Sequence, residues 1–136
     1  MVHLVNMYAP YKDRKPFWET VESSGVLRLK ILIVGGDMNF TLFSNEVWGY
    51  LAPLDPLAPF FNYLLEHNHL VDVHPVKVSP TWCNLISGLF GINKRLDRFV
   101  MAKSLCSSLE IFHSWVVTSD ISDHFPISFQ VEADLE

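Results

Sequence analysis

The chain has 136 residues, of which 49% are hydrophobic, 13% aromatic and only 18% charged. That is long enough for one domain with a sizeable core, but short of charge to cover its apolar surface, so its strands must be unusually well buried or normally face something outside the chain. The formal net charge of −5 argues against a general electrostatic grip on nucleic acid, which needs basic surface to displace counterions, although a bound cation would reverse the sign locally.

In chain order, "VHLVNMYAP" (2–10) reads as a strand stopped by Pro10. "YKDRKPFWETVESSG" (11–25) reads as a loop and then a helix, with Asp13 as N-cap, Pro16 in the first turn and Gly25 as the stop. "LKILIVGGD" (29–37) is a nearly continuous apolar run, as in a strand covered on both faces. Residues 40–54 read as an irregular loop. "DPLAPFFNYLLEHNHL" (55–70) is a helix with Asp55 as cap and Pro56 at its first position. "VDVHPV" (71–76) and "PTWCN" (80–84) read as short extended pieces, and "SGLFGINK" (87–94) as a turn. "RLDRFVMA" (95–102), "EIFHSWVVT" (110–118) and "PISFQVEA" (126–133) read as strands, with "SDISDHF" (119–125) as the loop between the last two. No repeat or linker is visible, and a single domain over 1–136 is expected.

Two cysteines, Cys83 and Cys106, are too few for a disulfide scaffold and read as reduced, mostly buried thiols. The opening "MVHLVNMYAP" is not a signal peptide, and no apolar run approaches membrane-spanning length. The expected setting is intracellular, nuclear or cytoplasmic, with no membrane partner.

Four stretches place polar groups at strand ends. Tyr8 lies in "NMYAP", Asp37 and Asn39 in "GDMN", Asp97 in "RLDRF", and Asp123 with His124 in "SDH". In layered α/β folds such groups converge on a cleft. Acids, an amide, a tyrosine and a histidine gathered there suit metal-assisted hydrolysis of a phosphoester. One acid ligates a hard cation, another orients or deprotonates water, and a histidine held by a third stabilises charge on the phosphoryl oxygens. Each also has an ordinary reading alone. Asp37 could be a turn residue or helix cap, Asp97 a member of a surface ion pair with Arg95 or Arg98, Asp123–His124 a polar loop, and Tyr8 a half-buried strand tyrosine.

Taken in order, the motifs NxYAP (Asn6, Tyr8, Ala9, Pro10), GDxN (Gly36, Asp37, Asn39), TWxN (Thr81, Trp82, Asn84), RLDRF (95–99) and SDHxPI (Ser122, Asp123, His124, Pro126, Ile127) resemble the endonuclease/exonuclease/phosphatase superfamily, the deoxyribonuclease I-like fold. The nearest likeness is to the endonuclease domain of plant non-LTR (LINE-type) retrotransposons. The resemblance implies an α/β fold of the four-layer sandwich type. It also implies Mg²⁺ (or Mn²⁺) as cofactor and DNA as partner. By resemblance, Tyr8 contacts the scissile phosphate, Asp37 orients or deprotonates water beside Asn39, Asp97 holds the imidazole of His124, and His124 faces the phosphate. Asp123 would lie at the metal, and Thr81, Trp82, Asn84 and Arg98 would bind substrate.

The family pattern also has an earlier strand-end asparagine and a glutamate that is the principal metal ligand, neither of which has a counterpart here. The expectation is therefore an incomplete sandwich, the C-terminal part of the fold, with Met1 an internal methionine of a longer ancestral frame and no continuation into a reverse transcriptase. Such a fragment should be a weak or inactive hydrolase alone and should self-associate through uncovered strands. Two alternatives stand beside it: a non-catalytic relic or binding module with the same half-fold, and a phosphatase-type member of the superfamily. A further reading, a transition-metal site in "HNHLVDVH" from His67, His69, Asp72 and His74, is opposed by the helix geometry. His67 and His69 would point about 200° apart, and helix-end histidines suit the negative end of the dipole.

Overall fold

The computed structural model describes residues 1–109 and 111–132. Its elements are β1 (His3–Tyr8), α1 (Arg14–Ser23), β2 (Leu32–Asp37), β3 (Val47–Trp48), α2 (Ala58–His67), β4 (Leu70–Asp72), β5 (Trp82–Cys83), β6 (Asn93–Lys94), β7 (Asp97–Ala102), α3 (Lys103–Cys106), β8 (Ile111–Val116) and β9 (Ile127–Glu132), with short 3₁₀ turns between some of them. The expected strand ends at residues 110 and 133 lie outside the described residues. The main sheet has the order β1-β2-β7-β4. In it β1 and β2 run parallel, while β7 is antiparallel to both β2 and β4. The small strands form a second sheet, β3-β6-β5, and β8-β9 make a hairpin.

The helices cover one face of the main sheet. Trp18 of α1 and Phe61 of α2 meet Phe40, which stacks on Phe61 with centroids 4.3 Å apart. Leu32, Val34, Met38, Leu64, Leu65 and Val100 complete this core. Full burial of an aromatic or leucine side chain contributes about 1.5–3 kcal/mol, so this face alone can hold the helices down. On the opposite face Phe99 of β7 stacks on Phe129 of β9 at 5.1 Å, which brings the hairpin over the sheet. The order of layers is helices, sheet and hairpin, an α/β arrangement. The hairpin leaves part of its face open: Leu4 is 75% and Tyr8 83% exposed.

Both glycines of "VGGD" are required by close approaches. A Cβ on Gly35 would lie 2.7 Å from the Phe99 ring, so the glycine leaves the floor on which that ring rests. Gly36 has φ +131 and a Cβ there would meet the Met7 carbonyl oxygen at 2.2 Å.

Several expectations are corrected. Asp13 stands at the N-cap position of α1, as expected, but it sits in the left-handed region at φ 54 and makes no side-chain cap bond. Asp55 does not cap α2, which starts at Ala58. Its carboxylate instead accepts from the Leu57 and Thr41 amides and takes both terminal nitrogens of Arg14 at 2.7 and 2.9 Å. The 40–54 loop contains β3, and the 87–94 turn contains β6. Cys83 and Cys106 are free thiols, half-buried rather than buried. No helix among the described residues is long and apolar enough to cross a membrane.

Candidate active site

Strand register assembles the site. Tyr8 is the partner of Asp37 across β1–β2, and Asp37 is the partner of Asp97 across β2–β7. Residues directly opposite one another present side chains to the same face, so all three stand in a row on the face away from the helices. His124 reaches this row from the loop before β9. Its Nδ1 lies 2.9 Å from Asp97 Oδ2, and its Nε2 lies 3.7 Å from Asp37 Oδ2. An ionised carboxylate only accepts, so Nδ1 carries the proton donated to Asp97.

Asn39 stands at φ 55, a conformation asparagine tolerates better than most residues. Its amide N–H donates to Asp37 Oδ1 and its side-chain Nδ2 donates to the Ala9 carbonyl, both at 2.9 Å. One turn thus fixes Asp37 and ties the ends of β1 and β2 together. Tyr8, Asp37, Asn39, Trp82 and His124 line an open cleft of about 690 Å³, with Tyr11, Arg14, Leu54 and Lys94 further along its wall.

The charges are poised against each other. Burial raises the Asp37 carboxyl above its ordinary range and the neighbouring Asp97 charge raises it further, against the pull of the Asn39 amide and His124. Burial disfavours the His124 imidazolium, but the hydrogen bond and charge of Asp97, with Asp37 and Asp123 behind it, more than offset this and raise its pKa. The site therefore favours a charged imidazole beside two acids.

Of the remaining expected residues, Trp82 and Asp123 lie at the cleft, whereas Thr81, Asn84 and Arg98 do not line it. Asp123 is exposed, and its carboxylate accepts from the Trp82 indole N–H at 3.2 Å and the Ser122 hydroxyl at 3.3 Å. Trp82 does line the cleft. Asn84 is committed to its own loop: its Oδ1 accepts from the Ile86 and Ile92 amides and its Nδ2 donates to the Phe90 carbonyl. Thr81 is fully buried. Arg98, expected at the substrate, is buried on the helix side, because the two-residue alternation of β7 turns it away from Asp97.

There Arg98 and Arg95 share Glu46 and Asp72. Arg95 reaches Glu46 at 2.6 Å and Asp72 at 2.7 Å, and Arg98 reaches them at 3.2 and 3.3 Å. The Arg98 guanidinium also lies over the Phe40 ring, 4.9 Å from its centroid. Glu46 was not singled out from the sequence, where an acid in a loop carries no signal of burial. Asp72 is occupied by this network, so it cannot serve a histidine metal site. His67 stacks on Tyr63, and among the described residues the one group with metal-ligand spacing is Asp37, Asp97 and His124.

The atoms of that group lie within 4.8 Å of one another. Mg²⁺ is held by one or two carboxylates, with waters and substrate phosphate oxygens completing its roughly six ligands, so this group offers a thin site for it. Asp97 Oδ2 is taken up by Nδ1, Asp123 accepts from Trp82 and Ser122, and Asp37 accepts from the Asn39 amide with one oxygen while the other faces His124 at 3.7 Å.

The layered sheet is of the deoxyribonuclease I-like type, a likeness of fold that rests on solved structures. The sequence matches no protein-family profile and no curated protein. Solved structures match across nearly the whole chain. The endonuclease domain of TRAS1, a telomere-specific non-LTR retrotransposon, superposes with a TM-score of 0.69 at 21% identity, covering 96% of this chain and 57% of that domain. The 3′-5′ exonuclease NExo from Neisseria meningitidis superposes with a TM-score of 0.68 at 18% identity, covering 96% and 61%. A structure of the 3′ phosphatase NExo from Neisseria, bound to a product DNA hairpin, gives 0.63 at 20% identity, covering 98% and 61%. The chain thus spans about three-fifths of the length of the structures it resembles.

Proposed function

We propose that this chain carries part of a phosphodiester hydrolase acting on DNA, of retrotransposon endonuclease type. The observation that carries this reading is the paired contact of His124, Nδ1 on Asp97 at 2.9 Å and Nε2 facing Asp37 at 3.7 Å, at the mouth of an open cleft. Asp97 orients the imidazole and favours its charged form. The other nitrogen then presents an N–H to a phosphoryl oxygen as negative charge develops there. Asp37, fixed by the Asn39 turn, accepts a proton from, or orients, a water entering beside it. Tyr8, exposed on the same row, offers its hydroxyl to another phosphate oxygen. Lys94 on the cleft wall supplies positive charge locally in a chain of net charge −5, while Arg14 is paired with Asp55.

A divalent cation would neutralise charge on the phosphate, held by Asp37 with waters and phosphate oxygens as its other ligands, a thin site with few protein carboxylates. The chain alone is therefore a poor hydrolase. The small number of cleft carboxylates among the described residues also favours a second reading, a non-catalytic module that keeps the fold.

Nicking of supercoiled plasmid across a Mg²⁺ titration tests the proposal, using the chain alone, a version extended by the earlier part of the fold, and Asp37→Ala in each. Nicking by the extended version that is lost in Asp37→Ala supports the reading. No nicking by the extended version leaves the non-catalytic module. A 3′-phosphorylated oligonucleotide run in parallel separates phosphatase from endonuclease activity.

A further inference from the structure

We propose that Thr81 is the positioning residue of the Asp97–His124 pair, a role that rests on those two residues working as a unit. Thr81 is fully buried and has no access to the cleft. Its Oγ1 accepts two backbone N–H bonds, from Leu96 and from Asp97, both at 2.9 Å. Asp97 is the first residue of β7, where a strand would otherwise fray, and Thr81 holds that backbone from the side. The same residue holds the partner. Its carbonyl accepts from the Phe125 amide at 2.7 Å, one residue past His124.

The rest of the 123–125 segment docks beside it like an added strand. Trp82 and His124 form an antiparallel bridge, and the Cys83 amide donates to the Asp123 carbonyl at 3.0 Å. Asp97 comes from the main sheet and His124 from a loop 27 residues later, and Thr81 is bonded to the backbone of Asp97 and to that of Phe125, the residue after His124. A threonine suits the position because its hydroxyl has two acceptor lone pairs and its methyl can be buried. Valine has the same shape and no acceptor, so it would leave two buried N–H groups unpaired.

The test compares wild type, Thr81→Val and Thr81→Ser by NMR in buffer containing EDTA, so that no metal contributes. The readout is the downfield Nδ1 proton of His124 and its exchange with water, with melting temperature recorded alongside. In wild type and Thr81→Ser this proton is expected to be resolved and slow to exchange. In Thr81→Val it is expected to be lost to fast exchange while the fold persists. A folded Thr81→Val that keeps the wild-type Nδ1 proton would overturn the proposal, whatever its melting temperature. If Thr81→Val does not fold, amide exchange in the wild type decides. Protected Leu96 and Asp97 amides support the clamp, and both exchanging as free loop amides overturn it. These readouts are independent of hydrolysis, so a failed nicking assay and a failed clamp are distinguishable.

Discussion

Asp37 and Asp97 face each other in register on neighbouring antiparallel strands, two acids where sheet pairing alone would disfavour them. Like charges directly opposite destabilise a sheet, and the Asp37 carboxyl is raised by burial and then by the Asp97 charge. His124 lies against both acids and relieves the repulsion. The pair is therefore held together by the histidine, and the titrations of Asp37 and His124 are coupled.

Replacing Asp97 tests that dependence. In Asp97→Asn the His124 imidazole loses its first favourable partner, and its pKa should fall from its raised value. The Asp37 carboxyl should fall as well, because a repelling charge is gone. Both midpoints can be followed by NMR titration of labelled side chains. In a nicking-competent extended version, the same change should cost roughly 100-fold or more in rate, the scale of a lost acid–base or charge-stabilising group.

Stability should peak in mildly acidic solution. His124 has a raised folded pKa, so its contribution is complete below its ordinary 6.5 and is lost as pH rises through the folded value. Asp37 is also raised, from 3.8, and acts in the same sense as it ionises. Glu46 and Asp55 are lowered from 4.5 and 3.8: burial opposes their charge, but the arginines beside them outweigh it. Their contributions are present above those values and are lost on acidification through the folded ones. Melting temperature against pH should thus fall on the alkaline side of 6.5 and again in strong acid. The alkaline fall should be absent in His124→Gln.

The Glu46 network should be expensive to break. Glu46→Ala leaves Arg95 and Arg98 buried with Asp72 as their remaining carboxylate. Removing one partner from a buried ion cluster costs about 3–5 kcal/mol. Urea denaturation should show a loss of that size, with a smaller one for Glu46→Gln, which keeps an acceptor oxygen.

The open sheet face should make the isolated chain associate. β1 is an edge strand, and Leu4 and Tyr8 project from it into solvent. Dye binding and concentration-dependent light scattering are expected for the isolated chain, both reduced by Leu4→Lys. A monodisperse chain that binds no dye would show that this face needs no cover.

Much of the site was legible in the residue order, because strand ends are written locally. The apolar run into Gly35–Gly36 marks where β2 stops, and the side chain that follows must emerge at the sheet's end. Tyr8, Asp37, Asp97 and His124 were found this way, and the structure gathers them. The roles of Thr81, Asn84 and Arg98 were not legible. The family resemblance implies substrate contacts for them, yet Thr81 and Arg98 are buried and Asn84 is hydrogen-bonded within its own loop. Strand alternation decides that Asp97 and its neighbour Arg98 part to opposite faces. Long-range packing then decides what each one meets: His124 27 residues on for Asp97, and Glu46 52 residues back for Arg98. The sequence determined by itself which residues end strands and which helix faces are apolar, since those follow from local sterics and periodicity. Only the tertiary structure decided which acids are free to act and which are held by buried arginines, because that depends on pairings between segments far apart in the chain.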